Sequence, residues 1–323
     1  MRTAIPRFAA ALLFAAAGVG VVTSVGASTN GHPTLAQVEA DISATLASTR
    51  VPDFTATLPT LALAPKTTEG RVPVACSSTS PTAPLPTSAF TSCLFGDRGI
   101  ARTIFFFGDD DAAMWIPTFR ALGTHRHWRV VIITHKGCSP WAFGTYTQGA
   151  PCHRLLNEEV ALANRFHPAV IVPMGNKVLW RGSKLASVRY LQDQILRILR
   201  ALAPSHAHVI LFSPVPKFDR GYTGWTPQIC LHTYRNHLHA CETVLYNDAT
   251  TSTAAQAIRN VALYKHLPLM ATRNLFCGPA TCALYVRTSS ATLLIYRDAG
   301  HMNLIYANWI SGALDTMIQP YLK

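Results

Sequence analysis

The chain has few acidic side chains and few charged residues of any kind. Its 323 residues include 16 Asp and Glu against 28 Lys and Arg, and charged residues make up only 14% of the total. A hydrophobic content of 49% excludes a mostly disordered chain and is typical of a large buried core. The net charge of +12 favours an anionic envelope surface as a neighbour, although ordinary solvated surface explains it equally well. Scattered basic residues without a recognisable motif argue against nucleic acid.

Only one apolar run approaches the length of a membrane span. It extends from Phe8 to Val22, follows Arg2 and Arg7, and leads to small residues that end at Ala27. This layout predicts a secretory signal over residues 1–27, with an uncleaved amino-terminal anchor as the alternative. We therefore expect an extracytoplasmic protein that is secreted or tethered by this segment.

The chain lacks a Cys-x-x-Cys motif, which makes zinc the weaker of two explanations for its cysteines. An exported chain favours disulfides, and the cysteines fall into four pairs of near neighbours. Eight cysteines allow on the order of a hundred pairings, so proximity only guides the assignment. The expected disulfides are Cys76 with Cys93, Cys138 with Cys152, Cys230 with Cys241, and Cys277 with Cys282.

Composition divides the rest of the chain into two parts. Leu35, Val38, Ile42 and Leu46 have helical spacing, and a stretch rich in Thr, Pro, Ser and Ala follows them. We expect residues 28–98 to form an amino-terminal extension, with one helix and an extended wrap pinned by a disulfide. Residues 99–323 are expected to form the main domain.

In the main domain, short apolar runs alternate with helical segments. This alternation predicts a three-layer α/β/α sandwich around a five-stranded parallel sheet, with the functional crevice at the carboxyl ends of the strands. The predicted strands are Thr103–Phe107, Arg129–Thr134, Ala169–Met174, His208–Phe212 and Leu267–Ala271.

Polar residues at the end of the first predicted strand carry the chemistry. That strand leads into Gly108, Asp109, Asp110 and Asp111, and a distant segment supplies Asp298 and His301 with the spacing Asp-x-x-His. Together the two segments resemble the first and last motifs of the SGNH esterase and acyltransferase superfamily. Three further segments resemble, in the same order, the branch attached to membrane O-acyltransferases of surface polysaccharides. They are Ala112–Pro117, Lys136–Cys138 and the cysteine-rich stretch between Pro214 and Cys282.

The resemblance implies a flavodoxin-like SGNH fold and a role for each matching residue. His301 matches the general base, and Asp298 matches the acid that orients its ring. Gly137 matches the glycine whose backbone N–H lines the oxyanion hole. Asn176 matches the amide donor of the third motif, of which only Gly-Asn is present.

The departure from the family lies at Asp110, where the SGNH motif has its nucleophilic serine. A carboxylate has no proton for His301 to remove, and its charge repels a developing oxyanion. The sequence therefore predicts an exported domain related to carbohydrate O-acyl esterases and acyltransferases but impaired in serine-based catalysis. Its expected partners are surface or cell-wall carbohydrate and a membrane acyltransferase, and no cofactor is expected.

Other functions remain open from the sequence. One is a non-catalytic module that binds glycan or cell envelope. In others, Asp110 attacks an ester directly, Ser139 replaces the missing serine, or Asp109, Asp111 and His301 bind a divalent cation. A strand followed by Asp-x-Asp is also typical of haloacid dehalogenase-like phosphatases, although no later acidic metal motif follows.

Overall fold

A computed structural model gives the arrangement of most of the chain after residue 31. Residues 1–27, where the sequence predicts a signal or anchor, lie outside the described part. The structure describes residues 32–48, 76–78, 85, 88–99, 102–144, 149–175, 180–181, 184–217, 226–234, 237–244, 249–298 and 300–322.

The strands are short, and six of them form the largest sheet of the described residues. In chain order they are β1 (Ser77–Ser78), β2 (Leu94–Gly96), β3 (Thr103–Gly108), β4 (Arg129–His135), β5 (Val170–Met174), β6 (Trp180–Arg181), β7 (Lys184–Leu185), β8 (His208–Val209), β9 (Leu211–Phe212), β10 (Thr243–Val244), β11 (Leu269–Met270), β12 (Thr281–Cys282), β13 (Tyr285–Arg287) and β14 (Thr292–Leu294).

The helices occupy the connections between the strands and the two ends of the described chain. They are α1 (Leu35–Ala47), α2 (Ala89–Ser92), α3 (Asp110–Ala113), α4 (Ile116–His125), α5 (Gly149–Phe166), α6 (Val188–Leu202), α7 (Pro227–Thr233), α8 (Ala249–Lys265), α9 (Leu304–Trp309) and α10 (Ser311–Ile318). No helix among the described residues is long and apolar enough to cross a bilayer.

The central sheet is parallel, as its buried strands predict. β3 lies between β4 and β5, and β5 pairs with β8. β8 continues through Ile210 into β9, because the Ile210 backbone N–H donates to the Ile171 carbonyl, and β9 pairs with β11. These connections confirm the predicted α/β fold with its five parallel strands.

Strands from the predicted extension also join this sheet. β1 pairs with β4 in parallel, β2 pairs with β4 antiparallel, and the disulfide between Cys76 and Cys93 connects the two short segments. Their brevity explains why no strand is evident in the sequence, since two or three residues carry no periodic pattern. A boundary between an extension ending at residue 98 and a main domain stays a prediction.

Helix α1 begins with a capping box. The Thr34 hydroxyl accepts the Gln37 backbone N–H, and the Gln37 side chain accepts the Thr34 backbone N–H. Val38 and Ile42 are fully buried, and the Thr45 hydroxyl accepts the backbone N–H of Arg287. The helix therefore packs on the last third of the chain, where its apolar face has the spacing predicted from the sequence.

The sheet separates two apolar layers, which β3 illustrates. Phe106 faces one layer and stacks on Phe119 with ring centroids 4.4 Å apart. Phe105 and Phe107 face the other layer, beneath α5, α6 and α8. All three rings are fully buried, so the strand has no solvent-facing side and reads as a continuous apolar run.

The four disulfides expected from proximity are present. They join Cys76 to Cys93, Cys138 to Cys152, Cys230 to Cys241, and Cys277 to Cys282. Every pair closes a short local loop, and no cysteine is free. The pairing predicted from the sequence is thus confirmed.

Four histidines end helices in the left-handed conformation. His127, His167, His206 and His266 have φ between 44° and 55°, and each is followed within a few residues by a strand of the sheet. They lie at the amino edge of the sheet, opposite the polar turn after β3. Helices commonly end with such a residue, although glycine usually occupies the position.

Because a β-branched residue is strained at positive φ, His266→Val is expected to lower the free energy of unfolding by about 1 kcal/mol. His266→Gly should leave that free energy unchanged or raise it slightly. The side chain of His266 is exposed, and the hydrogen bond from its backbone N–H to the Leu263 carbonyl is kept in both variants. The substitutions therefore test the backbone conformation alone. Urea unfolding measures the effect, with His208→Val on exposed strand β8 as the matched control. Equal stability of the two valine variants would contradict the prediction.

Candidate active site

The turn after β3 is built around a close approach of two strands. A Cβ atom on Gly108 would lie 1.7 Å from the Met174 carbonyl oxygen, so only glycine fits there. Asp109 is fully buried and caps α3, because its carboxylate accepts the Asp111 backbone N–H at 3.0 Å. Asp110 follows as the first residue of α3 and is only partly buried.

A second turn follows β4 and contacts Asp110. Gly137 has a φ of +80°, a conformation that favours glycine, and its backbone N–H donates to Asp110 Oδ1 at 3.0 Å. The disulfide from Cys138 to Cys152 on α5 fixes the residue that follows. The backbone donor that the family resemblance places in the oxyanion hole is therefore bound to the Asp110 carboxylate.

The third part of the site is the loop before α9. Tyr296 and Met302 form a bridge, and the Arg297 backbone N–H donates to the His301 carbonyl. Inside this loop, Asp298 Oδ1 accepts the backbone N–H groups of Gly300 and His301, both at 2.9 Å. The Asp-x-x-His spacing thus folds the carboxylate onto the imidazole of its own loop.

Asp110, His301 and Asp298 form one polar row. His301 Nδ1 lies 2.8 Å from Asp298 Oδ1 and 3.0 Å from its Oδ2, while Nε2 faces Asp110 Oδ2 at 3.7 Å. Both flanking groups are carboxylates, which accept hydrogen bonds and do not donate them when ionised. The ring is therefore best satisfied when both of its nitrogens carry protons.

The pKa shifts follow from this arrangement. Asp110 and then Asp298 raise the pKa of His301 to about 10, against the opposing effect of burial. His301 lowers the pKa of Asp110, and the Gly137 N–H acts in the same direction while burial opposes both. For Asp298, burial raises the pKa, but hydrogen bonds from His301 and Gly300 outweigh it and leave the pKa low. From these shifts we expect an imidazolium between two carboxylates at neutral pH.

In the SGNH branch that the sequence resembles, histidine often occupies the position of Asp111. The Asp111 side chain is nearly buried, and burial raises the pKa of its carboxyl. Lys217, in the loop after β9, and His301 oppose that shift electrostatically. Sequence analysis missed Lys217, because a single lysine in a loop carries no pattern that connects it with a turn a hundred residues earlier.

The sequence names two further candidate residues, Asn176 and Ser139. Asn176 lies outside the described residues. Ser139 is fully buried beside Gly175 and Asp109, which removes its hydroxyl from solvent. Among the described residues, no group of three His, Cys, Asp or Glu side chains is arranged to hold a metal ion.

The arrangement limits the chemistry available to His301. A protonated imidazole cannot accept a proton from a nucleophile, and the Gly137 N–H already donates to Asp110. What the site presents to solvent is a fixed row of charges at the carboxyl ends of β3 and β4. Such a row can bind hydroxyl or amide groups of a ligand.

Comparisons with known proteins agree with this fold. A family model described as "SGNH domain (fused to AT3 domains)" matches residues 75–316. No curated protein sequence matches the chain. Among solved structures, the chain is similar to the lipopolysaccharide acetyltransferase periplasmic domain of Salmonella ser. Paratyphi A, with 14% identity and a TM-score of 0.56. That match covers 84% of this chain and 97% of the other.

Two further solved structures are less similar to this chain. An acetyl xylan esterase is 14% identical with a TM-score of 0.39, over 66% of this chain and 97% of its own. A GDSL-like lipase from Bacteroides thetaiotaomicron is 13% identical with a TM-score of 0.41, over 68% of this chain and 89% of its own. Because the family model spans most of the sequence and the fold agrees with it, the chain belongs to the SGNH domain family.

Proposed function

We propose that this chain is an SGNH domain of surface-carbohydrate O-acylation that binds carbohydrate and is impaired in serine-based ester chemistry. One observation carries the proposal. The Asp110 carboxylate, which the sequence resemblance aligns with the family's nucleophile, accepts the Gly137 N–H and faces the imidazole of His301. A single side chain thus replaces the nucleophile, fills the oxyanion donor and keeps the base protonated.

Electrostatics indicate how strongly this arrangement opposes catalysis. An oxyanion that developed about 4 Å from the Asp110 carboxylate would be repelled by about 4 kcal/mol at an effective dielectric constant near 20. About 1.4 kcal/mol corresponds to a tenfold change in rate, so repulsion alone removes several powers of ten. The high pKa of His301 adds to this loss, because the neutral base is scarce at neutral pH.

The proposed location is extracytoplasmic. Four disulfides support it, since such bonds persist in oxidising compartments, and the predicted signal or anchor at residues 1–27 is consistent with it. The description of the matched family, with its fused AT3 domains, supports a membrane acyltransferase as partner. The similar periplasmic domain of a lipopolysaccharide acetyltransferase supports surface carbohydrate as the ligand class.

Hydrolysis of 4-nitrophenyl acetate tests the loss of serine chemistry. Initial rates of wild-type protein and His301→Ala are expected to agree within about twofold after subtraction of the uncatalysed rate, because a protonated His301 contributes no general base. His153→Ala, at an imidazole on α5 outside the site, is the matched control. A wild-type rate at least tenfold above that of His301→Ala, with His153→Ala unchanged, would show that the histidine works as a base and would overturn the proposal.

A further inference from the structure

A cavity of about 580 Å³ lies outside the charged row. Helix α1, the hairpin of β13 and β14, and helix α9 surround it. Its volume falls within the range of small-molecule binding sites. Exposed residues at its rim, among them Ser289 and Asn308, leave it open to solvent.

The lining combines apolar surface with neutral polar groups. Ile305, Leu293 and the half-buried Trp309 supply the apolar part, and Ile305 remains 49% exposed. No lysine or arginine is among the described residues that line the cavity. The Asp41 carboxylate would repel an anionic ligand, and the imidazole of His32 is the one basic side chain that the described lining sets against that repulsion.

Several polar side chains that line the cavity can form further hydrogen bonds. Gln37 uses its side-chain oxygen in the cap of α1, which leaves its amide N–H groups available. No hydrogen bond to the Asp41 carboxylate forms among the described residues, and burial raises the pKa of that carboxyl. Asn308 offers both a donor and an acceptor, while Trp309 offers an indole N–H.

Such a lining matches the two kinds of surface on a sugar ring. Hydroxyl groups around the ring edge donate to a carboxylate and exchange hydrogen bonds with amides. The faces of the ring carry C–H groups and pack on aromatic or aliphatic side chains, which Trp309 and Ile305 provide. An entirely apolar ligand would leave Asp41 and Gln37 without partners after desolvation, which is costly.

We infer that this cavity is a second carbohydrate site, which binds a neutral oligosaccharide between α1, the β13–β14 hairpin and α9. Asp41, Gln37 and Asn308 bind ring hydroxyls, and Trp309 with Ile305 packs against a sugar face. The ligand class rests on the proposed function, whereas the site itself is separate from Asp110. Helix α9 begins three residues after His301, so one segment of chain contributes to both places.

Titration calorimetry with mannohexaose, maltohexaose and arabinohexaose tests this site on the full chain. The wild-type protein is expected to bind at least one of the three. Trp309→Ala should weaken that binding at least tenfold and Asn308→Ala about three- to tenfold, as expected for loss of a ring contact and of a hydrogen bond. Asn157→Ala, at an exposed amide on α5, is the matched control and should bind as the wild type does.

Separate outcomes distinguish this site from the charged row. Binding that is weakened by His301→Ala and unaffected by Trp309→Ala and Asn308→Ala would place the sugar at the row, overturning this inference while leaving the proposed function intact. Absence of wild-type binding to all three oligosaccharides would also overturn it. Trp309 contacts Tyr306, so its removal can disturb the fold. If Trp309→Ala is unfolded, the test rests on Asn308→Ala at an exposed residue and on the isosteric change Asp41→Asn.

Discussion

Replacing Asp110 by serine is expected to raise esterase activity far above that of the wild-type protein. Asp110→Ser removes the repelling carboxylate, frees the Gly137 N–H and gives His301 a hydroxyl to deprotonate. Asp111 carries a second acid where the family branch has histidine, so the paired change Asp110→Ser with Asp111→His is the fairer trial. General base catalysis contributes about 10²- to 10⁴-fold, and we expect the paired variant to exceed the wild-type rate on 4-nitrophenyl acetate by about 10²-fold.

The same variant with His301→Ala added is the control for that gain. Its rate should return to the wild-type level, because the new hydroxyl then has no base. If wild-type turnover is robust and collapses in Asp110→Ala, Asp110 itself is the catalytic group. That result would contradict the loss of activity deduced from the carboxylate at this position.

The second large effect concerns the protonation of His301. Asp110→Asn removes the negative charge that faces Nε2 and keeps the shape of the side chain. An opposite charge at this range shifts a pKa by about one to three units, so the pKa of His301 is expected to fall from about 10 by that amount. NMR titration of the imidazole C–H signal measures it. A pKa that stays near 10 in Asp110→Asn would assign the shift to Asp298 and Asp111 instead.

Stability should depend on pH in a corresponding way. The pKa of His301 is raised in the folded state, so its contribution is complete below about 6.5 and is lost as pH rises toward about 10. The pKa of Asp110 is lowered, so its contribution is present above 3.8 and is lost as pH falls below that value. The thermal midpoint of wild type should therefore exceed that of Asp110→Asn most between about pH 4 and 6.5. Both side chains are partly exposed, which limits the corresponding difference in the free energy of unfolding to roughly 1 kcal/mol.

Long apolar runs made the sheet predictable from the sequence. Thr103–Gly108 and Val170–Met174 are buried on both faces, and such runs have few alternatives to a central parallel strand. β1 and β2 were not predictable, because two or three residues become strands only through pairing with β4. The left-handed histidines that end the helices were equally hidden, since histidine is compatible with several backbone conformations.

The residues of the candidate site were predictable from sequence motifs, but their contacts were not. The family resemblance selects Asp110, Asp298, His301 and Gly137, and the fold brings all four together. The sequence could not show that Gly137 donates to Asp110, because that bond depends on how two loops from different strands meet. The cavity beside Trp309 was hidden for the same reason, as it forms only where helices α1 and α9 meet the β13–β14 hairpin.

Neutron diffraction from crystals of the wild-type protein at neutral pD locates the protons of the charged row. The structure predicts a deuteron on each ring nitrogen of His301, a bare carboxylate at Asp110, and the Gly137 N–D directed at Asp110 Oδ1. A neutral His301 with no deuteron on Nε2, or an Asp110 side chain turned away from the Gly137 N–D, would contradict the conclusion that this carboxylate disables the base and fills the oxyanion site.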